Sequence, residues 1–150
     1  MAVTTAMCNS FKQELLGGIH DLDTHTLKIA LINGTNDDYN KTTTNYSDVT
    51  GGSGNDEASG TNYSAGGQNL AGATIALTND TAHVSFTDNV FSNVTCSAIG
   101  ALIYNSSTKA SVANRAICTI SFGGTVSAVA GDLTIDFPAA GESTSIIRIS

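Results

Sequence analysis

With 150 residues the chain has the length of one domain of ~100–200 residues. Six Lys and Arg against thirteen Asp and Glu leave a net charge of −7, without the basic face that binding nucleic-acid phosphates or an anionic membrane surface requires. No apolar run approaches the ~20 residues of a bilayer-spanning helix.

Only 13% of the residues are charged, against ~25% in a typical soluble domain, while 41% are hydrophobic. Ser, Thr, Asn and Gly make up the difference. Such a surface suits β-structure rich in loops, and it suits burial by partners, because hydroxyls and amides cost less to desolvate than charges. The first six residues, Met1-Ala2-Val3-Thr4-Thr5-Ala6, lack the basic stretch and apolar run of a secretory signal, so synthesis in a cytoplasm is expected. Cys8, Cys96 and Cys118 are widely spaced and form no Cys-x-x-Cys pair. They are expected to be reduced, structural thiols.

Taken in order, residues 4–16 carry one helical stripe, with Met7, Phe11 and Leu15 four apart, Thr4 or Thr5 as N-cap and Gly17-Gly18 as the stop. Residues 1–18 are thus expected to form an N-terminal helical segment. A connector with His20, Asp21, Asp23 and His25 leads into Leu27, Ile29 and Leu31, whose period of two predicts a strand ended by Asn33-Gly34. Residues 35–62 form a long polar loop with acids at Asp37, Asp38, Asp48, Asp56 and Glu57, and residues 45–50 could add an edge strand.

Asn62-Tyr63-Ser64-Ala65-Gly66-Gly67-Gln68-Asn69-Leu70 then reads as an anchored turn. Gly66-Gly67 permits positive φ, while Tyr63 and Leu70 pin the loop to the core. Strands are predicted over 74–78 and 82–87, joined through Asn79-Asp80, and again briefly at Val90-Phe91 after a break at Asp88-Asn89. Residues 97–104 are apolar on both faces, as in a central strand. Residues 113–122 alternate up to a turn at Gly123-Gly124, Leu133, Ile135 and Phe137 alternate up to Pro138, and 145–149 close the chain. About eight short strands with one N-terminal α-helix give a mainly β, single-domain β-sandwich or jelly roll over 1–150.

No residue set carries a catalytic signature. There is no Gly-x-Ser-x-Gly elbow, phosphate loop or dinucleotide fingerprint, so no enzymatic activity and no cofactor is expected. His20, Asp21, Asp23 and His25 have the chemistry of a zinc or manganese site but sit in a turn, where Asp usually serves backbone N–H groups. The acids of 37–57 lack the spacing of a calcium loop. Tyr39, Tyr46 and Tyr63, close to Asn and Asp, could stack on sugar rings. Their alternative role is to anchor loops on the core.

Leu16-Gly17-Gly18-Ile19-His20-Asp21-Leu22 running into Leu27-Lys28-Ile29-Ala30-Leu31 is followed by Tyr63-Ser64-Ala65-Gly66-Gly67-Gln68-Asn69-Leu70. Val84-Ser85-Phe86-Thr87-Asp88, Ala101-Leu102-Ile103-Tyr104-Asn105 and Ser121-Phe122-Gly123-Gly124 continue the order. Over residues 11–137 this order resembles small structural proteins of tailed bacteriophages, the decoration (cement) and minor tail proteins. The resemblance implies a β-sandwich or jelly-roll subunit and no catalytic residues. It points to a capsid cement protein at the virion surface, made in the bacterial host cytoplasm and binding the major capsid protein and copies of itself as a dimer or trimer. A minor tail or head–tail component is the alternative, and a glycan-binding module displayed on the virion a further one. The N-terminal helix and the acidic loop are the expected docking elements, with Phe11, Leu15, Tyr39 and Tyr46 as contact residues and Tyr63, Gly66, Gly67 and Leu70 as structural anchors.

Overall fold

The computed structural model describes residues 2–150. In chain order its elements are β1 (Ala6–Met7), α1 (Asn9–Leu16), β2 (Leu27–Ile32), α2 (Ser47–Gly51), β3 (Gln68–Asn69), β4 (Thr74–Thr78), β5 (Thr81–Ser85), β6 (Asn89–Asn105), β7 (Arg115–Ile135) and β8 (Ile147–Ile149). The protein is mainly β, with two antiparallel sheets. One has five strands in the order β1-β7-β6-β2-β3, and the other three in the order β4-β5-β8.

The larger sheet is built on one hairpin. β6 and β7 pair from Asn89↔Ile135 to Asn105↔Arg115, and β2 lies along β6 from Leu27↔Asn105 to Ile32↔Gly100. Residues apolar on both faces, such as Leu102 and Ile103, therefore sit in the middle of the sheet with no exposed surface. Phe11, Ile29, Leu31, Phe91 and Ile117 complete the same core.

β6 runs 17 residues and β7 21, where the alternation predicts shorter strands broken at Asp88-Asn89 and at Gly123-Gly124. The breaks in period are β-bulges. Ala98 faces Val126 while Gly100 faces Ser121, so two steps on β6 answer five on β7, and the surplus residues around Gly123-Gly124 bulge without ending the strand. Further register shifts lie between Phe91 and Val94, Val94 and Cys96, and Ile103 and Tyr104. Beyond Thr119 no strand among the described residues pairs with the outer edge of β7.

The N-terminal helix is shorter than predicted. Residues 3–7 are extended instead, because hydrogen bonds reach them from two sides. The N–H of Thr4 donates to Tyr39 O at 2.8 Å, and Ala6 and Met7 pair with Thr119 and Cys118. Met7 is therefore a strand residue, and Cys8, in extended geometry, occupies the N-cap in place of Thr4 or Thr5. The predicted stop holds. Gly18 takes φ +67, Ile19 N–H donates to Glu14 O and Gly18 N–H to Leu15 O, the two bonds of a Schellman cap.

Residues 45–50 form no edge strand. Their chain turns into α2, and only Asn45 makes a single bridge, to Arg115. The three cysteines are free and buried; burial pushes the Cys8 thiol up to about 12.

Candidate functional site: a carboxylate-tied loop and an exposed apolar face

The stretch from Tyr63 to Leu70 and the segment just before it seal the outer edge of β2. Leu70 N–H donates to Leu27 O, Asn69 and Gln68 pair with Lys28 and Ile29, and Ala58 N–H donates to Leu31 O. Where the backbone swings away, Tyr63 Oη fills in by accepting the N–H of Leu31 at 2.9 Å. A strand edge left open here would invite pairing with foreign strands. All four anchor residues take part. Gly66 donates its N–H to Glu57 Oε1 at 2.7 Å and its carbonyl accepts the Tyr104 hydroxyl at 2.7 Å, while Gly67 lies against the backbone of Ile29.

The polar loop is ordered by its own acids. Asp56, fully buried, accepts the N–H groups of Asn36 and Asp37, the Asn36 amide and the Tyr39 hydroxyl. Burial alone would raise its pKa. The bonds from Tyr39, Asp37 and Asn36 outweigh burial and hold it below the ordinary carboxylate value. Asp48 Oδ2 accepts from Thr44 and Asn45, and Asp37 from Ser53. These carboxylates serve the turns of their own loop. Among the described residues no group of three or more His, Cys, Asp or Glu is arranged to hold a metal ion.

Glu57 gathers the tyrosines. Tyr46 and Tyr63 both donate their hydroxyls to its carboxylate, and burial raises the pKa of both phenols. Tyr46 stacks on Tyr104 at 4.8 Å between centroids, and Tyr63 on Phe91 at 5.6 Å. Tyr39 is wholly buried. The three tyrosines considered for sugar stacking are thus loop anchors, each with its hydroxyl committed to an internal carboxylate. Tyr39 also leaves the set of docking residues, as does Phe11, whose ring lies in the core edge-on to His20. A side chain with no exposed surface offers a partner nothing.

His20 and His25 do not converge on a common ligand position but on an amide. Asn105 Nδ2 donates to His20 Nδ1 at 3.1 Å and to His25 Nδ1 at 2.9 Å, while its Oδ1 accepts the N–H of Ser107, which fixes the orientation of the amide. Both Nδ1 atoms act as acceptors in this arrangement. His20 Nε2–H donates to Glu14, which also pairs with Arg115. Burial lowers the His20 pKa, and the opposing pull of Glu14 only reduces the drop.

The unfolded chain then binds more protons below about pH 6.5 than the folded chain does. Stability should hold above that value, fall as pH drops below it and level off once the lower folded value is passed. Thermal melts at pH 7.5 and 5.5 should differ by a few degrees, and His20→Gln should shrink that difference.

The three-stranded sheet has two unlike faces. On one, His83 Nδ1 bonds Ser145 Oγ at 3.0 Å and Ser85 Oγ donates to Pro138 O, so residues 138–145 cover it. On the other, the cross-strand rows are Ile75-Val84-Ile147 and Leu77-Ala82-Ile149. Val84 and Ile147 are buried, but Leu77 is 72% exposed, Ile75 56% and Ile149 49%. Next to this face Leu16 of α1 stands 93% exposed.

Between α1 and β8 runs a groove of about 400 Å³ lined by Met7, Lys12, Leu15, Leu16, Arg148 and Ile149. An adjoining cavity of about 460 Å³ lies between α1 and the sheet, with Phe11, Leu15, Leu22, Ile75 and Val84 in its wall. Leu15, an expected contact residue, lines both. Leu16, Ile75, Leu77 and Ile149 escape the sequence reading. Alternation marks a strand face as apolar, and only the depth of cover above it decides whether that face is core.

No family model, no curated protein and no solved structure matches this chain. The apolar face and the groove beside it can bind an apolar side chain from another surface, and the acids and tyrosines of the loop are already engaged inside the chain.

Proposed function

We propose that the chain is a non-enzymatic structural protein of a tailed-phage virion, a cement subunit that binds between major capsid subunits and stabilises the shell. The observation that supports it best is the exposed apolar face of Leu16, Ile75, Leu77 and Ile149 beside an open groove. Contiguous apolar surface of this kind marks a docking site on a folded protein. The loop at 35–62 adds a second feature suited to a shell component, since its carboxylates and tyrosines hold it in one shape. In this reading the two sheets are the halves of a sandwich of jelly-roll type, and the subunit is made in the bacterial cytoplasm and ends on the capsid surface. A minor tail or head–tail component is the second reading, since it needs the same kind of docking face.

Particles assembled without the protein should keep their shape but release their genome at a lower temperature than complete ones. Copy number per virion should scale with the number of capsid subunits. Immunogold labelling confined to tails, with the small fixed copy number of a ring, would overturn the capsid assignment.

A further inference from the structure

We propose that the apolar face is where two copies of this chain meet, the β4–β5 hairpin of each seating Leu77 in the α1–β8 groove of the other. The inference rests on the reading of the chain as an assembly subunit and names the partner of its exposed face.

Three observations point to a second copy as the occupant. The first is shape and polarity. Leu77, at the end of β4 beside the hairpin turn, projects 72% exposed, while the groove offers Leu15, Leu16 and Ile149 as an apolar lining. One chain thus carries both the inserting side chain and its receptacle.

The second is charge. Lys12, one of only six cations in a chain of net charge −7, lines the groove. Lys12 makes no ion pair among the described residues, whereas Arg148, in register with His83, turns to the covered face and donates to Ser143 O. The hairpin turn carries Asp80. A hairpin tipped by Asp80 entering a groove beside Lys12 is a favourable approach between two molecules that otherwise repel.

The third is position. Leu77, Ala82 and Ile149 occupy one cross-strand row, so the hairpin and the groove edge are two strand spacings apart, about 10 Å. Neighbouring donor and receptacle surfaces let a two-fold axis make both contacts at once. The interface then closes as a dimer, whereas a head-to-tail contact would leave one hairpin and one groove free at the ends.

Sedimentation velocity and light scattering on the full chain decide it. The wild type should be a dimer at micromolar concentration. Leu77→Asp and Leu16→Asp, both at exposed positions, should each weaken dimerisation tenfold or more with an unchanged melting temperature and circular dichroism spectrum. Lys12→Glu should weaken it as well, and Lys12→Glu with Asp80→Lys should recover part of the loss. A wild type that stays monomeric at high micromolar concentration, or a dimer indifferent to both leucine variants, overturns the inference. If the monomer still attaches to particles and Leu77→Asp abolishes attachment, self-pairing is overturned while the assembly reading stands. Failure of the wild type to attach to any particle defeats that reading, whatever the oligomeric state.

Discussion

Replacing Gly67 with valine should leave little or no folded protein. Gly67 has φ +68, a backbone region costly for any residue with a Cβ and worst for a β-branched one. A Cβ at this position would also overlap the carbonyl oxygen of Ile29, lying 2.6 Å from its carbon and 2.8 Å from Ala30 Cα. These are backbone atoms of β2, a strand hydrogen-bonded on both sides, so neither partner can step aside. Relief requires the whole turn to lift, which breaks the bond from Gly66 to Glu57, the β2–β3 pairing and the seat of Tyr63.

The combined loss should reach about 4–5 kcal/mol or more, a large part of the ~5–15 kcal/mol that typically holds a domain together. Soluble yield and far-UV circular dichroism measure it. Ala65→Val, exposed in the same turn, is the control and should shift stability by no more than about 0.5 kcal/mol. If Gly67→Val folds and enters particles normally, the turn is not an anchor of the fold.

The second large effect is expected at Asp56. Alanine there removes the acceptor for two backbone N–H groups, the Asn36 amide and the Tyr39 hydroxyl, all in the interior of the 35–62 loop. Each orphaned buried donor costs about 1–3 kcal/mol, and partial access to water brings the sum to about 3–5 kcal/mol. At about 2–4 °C per kcal/mol for a chain of this size, Asp56→Ala should melt roughly 10 °C below wild type.

The loss should be local at first, with hydrogen exchange rising over residues 35–57 before it rises in β6. A pH signature accompanies it. The folded pKa of Asp56 lies below its unfolded value of 3.8, so its contribution is fully present above that pH. It is lost as the pH falls from there through the lower folded value. Asp56→Ala should lack this segment of the acid-unfolding curve, and an identical curve for both proteins would refute the assignment.

Local pattern was enough for some elements and insufficient for others, for reasons that can be stated physically. β2 was legible because Leu27, Ile29 and Leu31 alternate without interruption, and the Gly18 stop because only a glycine fits it cheaply. The turn at 63–70 was legible because two glycines between an aromatic residue and a leucine have few other uses. The long β6–β7 hairpin was not, since a bulge and a turn leave the same break in period. The N-terminal helix was overestimated because its stripe of Met7, Phe11 and Leu15 says nothing of Thr119 and Tyr39, the distant partners that draw residues 3–7 into extended form. The internal role of the acidic loop was hidden for a similar reason. Asp56 is buried by donors that lie 17 to 20 residues away in sequence. The apolar docking face was hidden most completely, because Leu77 in a strand pattern reads the same whether it is covered or bare.

The extended N-terminus also sets the order of assembly of the molecule. Thr4 O accepts the Thr119 hydroxyl across a sequence separation of 115 residues, and Thr5 Oγ1 accepts the N–H of Ser121 across 116. Residues 4–7 thus wait for the last strand of their own sheet before their second side is paired. Loop closure over such distances is slow, and folds dominated by it form in milliseconds to seconds. Until β7 arrives, the side of α1 that carries Phe11 has only part of its cover, from His20 and its neighbours. The large sheet therefore closes where β1 meets β7, its two strands furthest apart in sequence.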